Sequence, residues 1–140
     1  MKIGLACDHA GFEYKEKLKE FLSSKSNDIN DYGCYSLDSV DYPDFAHKLT
    51  KEVLKNKNSV GILICGTGQG MAITANKQVG IRAALCYEPE IAELSRSHND
   101  CNVLTLGARF IDSKVAIECI LKFINTPFEG GRHQNRIDKI

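Results

Sequence analysis

Short runs rich in aliphatic and β-branched residues alternate along the chain with longer stretches whose apolar residues recur every three or four positions. The first kind predicts strands near residues 2–6, 60–65, 81–86 and 103–107, with a weaker one at 28–33. The second kind predicts helices. Near 12–24, Tyr14, Leu18, Phe21 and Leu22 share one face; after Pro43, a residue suited to a helix first turn, Phe45, Leu49, Val53 and Leu54 do the same. A shorter helix is expected to begin within the glycines of 66–70, and another to follow Pro89 with Ile91 and Leu94 turned inward. A last helix carries Val115, Cys119, Ile120 and Phe123 after Asp112.

Strands alternating with helices in this way imply right-handed crossovers and a mostly parallel sheet covered on both faces. The expected fold is α/β, a Rossmann-like three-layer sandwich with about five strands. The unbroken apolar run Val60-Gly61-Ile62-Leu63-Ile64-Cys65 marks a central strand buried on both sides, since a half-exposed strand would alternate. The 140 residues suit one domain over 1–140. From Thr126 the chain turns polar, with Gly130 and Gly131 before Arg132-His133-Gln134-Asn135-Arg136, and this tail is expected to pack on a partner subunit instead of its own core.

Composition narrows the possible partners. With 43% hydrophobic and 26% charged residues the chain is neither disordered nor fibrous, and Lys+Arg and Asp+Glu balance at 18 each. That balance removes the electrostatic signature of a nucleic-acid binder, so an anionic ligand must be small and locally held. Asp8 and His9 interrupt the first apolar run before it reaches signal or membrane length, and a cytoplasmic protein without membrane contact is expected. Six cysteines show no CxxC pair and no zinc spacing, so most are expected to be reduced and to serve as small hydrophobes.

Ligands of doubly wound sheets bind beyond the carboxyl ends of the strands. Three places attract attention there: Asp8-His9-Ala10-Gly11, the loop Gly66-Thr67-Gly68-Gln69-Gly70, and His98-Asn99-Asp100 after the helix at 89–97. Alternate glycines leading into a helix let N–H groups converge on an anion or oxyanion, although a merely tight turn has the same composition. The loop lacks the Gly-Lys-Ser/Thr of a P-loop and the third glycine of a dinucleotide fingerprint. Cys65, at the junction of strand and loop, is the candidate base or nucleophile, because a helix N-terminus favours thiolate; a buried hydrophobic role is the alternative. The other five cysteines lack such a setting, and His47 falls on a polar helix face. His9 and His98 are each expected at the ligand-binding end of the sheet, next to groups able to orient an imidazole. Arg132 and Arg136, four apart, could grip a phosphate from one helix face or simply form a solvated basic tail.

Together these segments resemble the ribose-5-phosphate isomerase B family, which includes galactose-6-phosphate and allose-6-phosphate isomerases. The resemblance runs from Gly4-Leu5-Ala6-Cys7-Asp8-His9-Ala10-Gly11 through Asp41-Tyr42-Pro43, the Cys65 loop, Ser97-His98-Asn99-Asp100 and Glu129-Gly130-Gly131-Arg132-His133, covering nearly the whole chain. It implies an isomerase of phosphorylated sugars that needs no metal or cofactor, acting in the pentose phosphate pathway as a homodimer or dimer of dimers with its site at the subunit interface. By resemblance, Cys65 moves the carbon-bound proton, Thr67 the hydroxyl proton, and the amides of residues 66–70, including Gly66, Gly68, Gln69 and Gly70, hold the enediolate oxygen. His98 would open the sugar ring, Asp8 and Tyr42 would meet sugar hydroxyls, and His9, Arg132 and Arg136 the phosphate. Asn99 and Arg109 complete the set, with His98, Asn99 and Arg109 expected from the partner. Members lacking the cysteine use a glutamate six residues later, where this chain has Met71. A six-carbon sugar phosphate, or a noncatalytic phosphosugar-binding role, are the alternatives; a thiol-redox role lacks a resolving cysteine near Cys65.

Overall fold

The computed structural model describes residues 1–25 and 28–140. Among the described residues five parallel strands, β1 (Lys2–Cys7), β2 (Asp28–Asp31), β3 (Ser59–Cys65), β4 (Ala83–Leu85) and β5 (Val103–Gly107), lie in the order β2-β1-β3-β5-β4. They are covered by α1 (Phe12–Ser24), α2 (Tyr42–Lys55), α3 (Gln69–Asn76), α4 (Pro89–Asn99) and α5 (Ser113–Asn125), and α6 (Arg132–Ile137) follows. The unbroken apolar run is the central strand β3, paired on one side with β1 and on the other with β5.

Alternation along the strands sorts the core into two halves. Ile3, Leu5, Ile62, Ile64, Leu104 and Leu106 pack with Leu18 and Leu22 of α1, Ala92 of α4, and Cys119, Ile120 and Phe123 of α5. On the other face Ala6, Leu63, Cys65 and Val103 meet Ala46, Leu49 and Val53 of α2 and Met71 and Ala75 of α3. Burying each large aliphatic side chain contributes about 1.5–3 kcal/mol, so both layers are well anchored. Gly4 and Gly61 sit side by side in register, and a Cβ on Gly61 would run into Leu49. The glycines thus let α2 ride close over the centre of the sheet.

Two expectations change. Leu54 and Leu94 are each 41% exposed, whereas Ala92 of α4 and Val53 of α2 are the residues that enter the core. β4 is shorter than 81–86, since the Ile81 amide closes a turn onto Gln78 and the Arg82 amide bonds the Asn102 side chain. The polar tail also touches its own chain: the Glu129 amide donates to Ser97 O at 3.0 Å, and His133 is buried where α6 meets α4.

One buried charge cluster ties α1 to β2. The Asp31 carboxylate accepts from Lys15 Nζ at 2.6 Å, Lys19 Nζ at 2.7 Å and the Gly33 amide at 3.0 Å, and Lys15 is fully buried. Burial opposes the ionised Asp31, but the hydrogen bonds from Lys15, Lys19 and Gly33 outweigh it and hold its carboxyl below the usual range. A depressed carboxyl stabilises the fold above its unfolded value, and that contribution is lost as pH falls through the folded one. Asp31→Asn is therefore expected to cost roughly 3 kcal/mol at neutral pH, because Lys15 is left buried with weaker pairing. Denaturant unfolding of both proteins should show this gap closing in acid; a gap that ignores pH would point to packing instead.

Candidate active site

Cys65 ends β3 and is 5% exposed. The Gly68 amide donates to its Sγ at 3.1 Å, which fixes the sulfur against the start of the glycine loop. Gly68 caps α3 at φ +79°, a left-handed conformation, and any side chain there would collide with Leu85 and the Leu106 backbone. The first-turn amides of a helix lack intrahelical acceptors, so the start of α3 offers donors beside the thiol.

Neighbouring elements hold the loop in place. Just past β5, the amides of Ala108 and Arg109 donate to the carbonyls of Cys65 at 2.9 Å and Gly66 at 3.1 Å. The Arg109 guanidinium lies against Gly66, and the Tyr42 ring, at the start of α2, covers Gly70. Thr67 is exposed, and its Oγ1 accepts from the Gln69 amide at 3.2 Å. Gly107 makes room for the Thr67 carbonyl, which a Cβ would approach to 2.6 Å.

The end of β1 adjoins this loop. The Asp8 amide bonds Ile64 O at 3.1 Å, and the Asp8 carboxylate, 7% exposed, caps the turn His9–Gly11 by accepting the Gly11 amide at 3.1 Å. Nδ1 of His9 accepts the Val40 amide at 3.2 Å, which orients the imidazole. Asp8, His9, Tyr42, residues 65–70 and Arg109 thus gather at the carboxyl ends of the strands.

The remaining candidates lie at the opposite end. Arg82 Nε, just before β4, donates to Asn99 O at 2.9 Å, and the Asn102 carbonyl accepts the Gly61 amide at 2.9 Å near the start of β3. α4 therefore ends where the parallel strands begin, which corrects the expectation that His98 shares an end of the sheet with His9. A seven-residue β3 at ~3.3 Å per residue puts the two groups roughly 20 Å apart along the strands. His98 and Asn99 are there, together with Arg132 and Arg136 on α6. Arg109 lies by the Cys65 loop of its own chain, with its guanidinium against Gly66.

Sequence reasoning also missed the immediate surroundings of His98. Its ring stacks on that of His133 with centroids 4.2 Å apart and planes 8° from parallel. Oε2 of Glu129 lies 3.9 Å from His98 Nε2 and 3.6 Å from His133 Nε2. Burial, then the charges of His98 and Arg132, push the His133 pKa below its ordinary value, against the opposing pull of Glu129. The signal in the sequence is the four-residue step from Glu129 to His133. These three side chains offer donor atoms within 4.8 Å of one another. Stacked rings aim their lone pairs along parallel planes, however, so sharing one ion would require the rings to splay.

A buried thiol and a glycine loop at the carboxyl ends of a doubly wound sheet define an α/β protein with its candidate site where such sheets bind ligands. The chain belongs to the ribose/galactose isomerase family, whose model matches residues 3–140. It is 42% identical over 139 residues to ribose-5-phosphate isomerase B of Escherichia coli, covering 99% of this chain and 93% of that protein. The crystal structure of a ribose 5-phosphate isomerase from Thermotoga maritima superposes with a TM-score of 0.96 at 51% identity, covering 99% of this chain and 95% of that one. That of ribose-5-phosphate isomerase B from Mycoplasma genitalium, with bound ribulose-5-phosphate, gives 0.94 at 43% identity, covering 99% and 92%. Among the described residues no helix is long and apolar enough to cross a membrane.

Proposed function

We propose that this chain is an aldose-ketose isomerase that interconverts ribose 5-phosphate and ribulose 5-phosphate in the cytoplasm. The observation that carries the reading is the Cys65 thiol beside the Gly68 amide and the start of α3, in a chain so close to an isomerase that holds ribulose-5-phosphate. In the linear aldose, Cys65 as thiolate takes the proton from C2. The C–H electron pair forms the C1–C2 double bond of an enediolate, and the loop amides face the oxygen that gains charge. Thr67 helps move the hydroxyl proton between O2 and O1, and Cys65 returns its proton to C1 to complete the ketose.

The division of candidates between two ends of the sheet supports a homodimer. One chain cannot bring His98 to Cys65, whereas a twofold pair can place the partner subunit's His98 over the loop, with the partner subunit's Arg132 and the partner subunit's Arg136 at the phosphate. Asp8 and Tyr42 then face the sugar hydroxyls, and His9 and Arg109 the anionic side of the ligand. We read residues 1–140 as one domain, with α6 carrying its arginines toward the partner from its seat on α4.

The test is the rate of ribulose 5-phosphate formation by the purified protein with chelator present, with allose 6-phosphate and galactose 6-phosphate run alongside. Fast turnover of the pentose that survives chelation is expected. Turnover of a six-carbon sugar alone would reassign the substrate, and binding of ribose 5-phosphate without turnover would leave a phosphosugar-binding module.

A further inference from the structure

We propose that His133 and Glu129 are positioning residues that hold the His98 ring for opening the cyclic sugar. The inference rests on the isomerase reading above and assigns a task to two side chains outside the reacting atoms. Ribose 5-phosphate is mostly a furanose, and proton transfer from C2 requires the open chain. Opening breaks the C1–O4 bond with its electron pair going to O4, while the O1–H pair becomes the C1=O1 bond. His98 supplies the proton that O4 gains and recovers one from O1 through solvent, so the step balances without a further reactant.

That task needs an imidazole with a fixed plane. His98 sits in the last turn of α4 with its side chain 37% exposed, a setting in which rotamers ordinarily exchange. Here one face is covered by His133, which is buried and therefore not free to move away. The stack leaves the other face and the edge of the His98 ring for the substrate. Glu129 is itself placed by its amide bond to Ser97 O at 3.0 Å, one residue before His98. Its Oε2 lies 3.9 Å from Nε2 of His98 and 3.6 Å from Nε2 of His133, at the edge of both rings. Burial, then the charges of His98 and Arg132, disfavour charge on His133, which serves as the fixed face of the stack.

The experiment compares a cyclic with an acyclic substrate in variants of the full-length protein. 4-Deoxyribose 5-phosphate lacks the oxygen that closes the furanose and needs only the proton transfers at C1 and C2. His133→Ala is expected to lower kcat on ribose 5-phosphate by roughly tenfold to a hundredfold, since misplacing an acid-base group forfeits part of its effect. On the acyclic substrate the same variant should stay within about twofold of the wild type, because ring opening is bypassed. His133→Phe, which keeps an aromatic face, should recover most of the loss. Equal losses on both substrates, or none on either, would overturn the proposal. Should His133→Ala fail to fold, Glu129→Gln on an exposed side chain decides it through the same selective loss at smaller size. A wild-type protein inactive on both sugars would sink the isomerase reading itself, a result distinct from either.

Discussion

Cys65→Ala is expected to slow isomerisation by about three orders of magnitude while ribose 5-phosphate still binds, as removal of a general base does. Among the described residues of the loop and its flanks, Thr67 is a weak base, and Met71 is fully buried and has no proton-accepting group of comparable strength. Cys65 is also small and buried at 5% exposure, so alanine should leave the fold intact. The measurement is kcat by ribulose 5-phosphate formation together with calorimetric binding of ribose 5-phosphate. A variant that keeps more than about a tenth of the wild-type rate would remove the thiol as the base, because so small a loss lies below the range of base catalysis. A variant that loses binding as well would show that the thiol shapes the pocket.

The second large effect concerns how the site is assembled. Cys65→Ala and His98→Asn homodimers should each be nearly inactive on the cyclic aldose, yet mixing them under conditions of subunit exchange should restore activity. In a random mixture half the dimers are mixed and half of each mixed dimer's sites are intact, so about a quarter of wild-type activity is expected. Recovery to that level would mean that each site takes its thiol from one chain and its imidazole from the other. Absence of recovery, with exchange verified by mass spectrometry, would mean that each chain closes its own site. The strand geometry speaks against the second outcome, since β3 separates the two groups within a chain.

Much of this architecture was legible from hydrophobic patterning. The run from Val60 to Cys65 announces a central strand because burial on both faces removes the need for alternation. The thiol and the glycine loop could be read because a strand end, alternate glycines and a following helix are contiguous in sequence. His98 was misplaced for a corresponding reason: periodicity locates an element but gives no direction relative to the sheet unless the following strand is counted. With Val103 opening β5 only five residues on, α4 must end at the amino side of a parallel sheet. The His98–His133 stack joins residues 35 positions apart through a tail whose polarity resembled a solvated end, and no local signal reports such a contact. Lys15 gives a related lesson. Its charge alone gives no sign of a core position, but Asp31 and Glu16 let it be fully buried.

The opposed poles of the sheet have a consequence for how activity depends on concentration. On the dimeric reading each chain presents a thiol half-site at one pole and an imidazole half-site at the other, with a rigid strand between them as a ruler. A twofold pairing then completes two sites in one event, and a lone chain completes none. Below the dissociation constant of the pair, the rate should fall with the square of the dilution, and substrate, by bridging two chains, should hold the pair together against it.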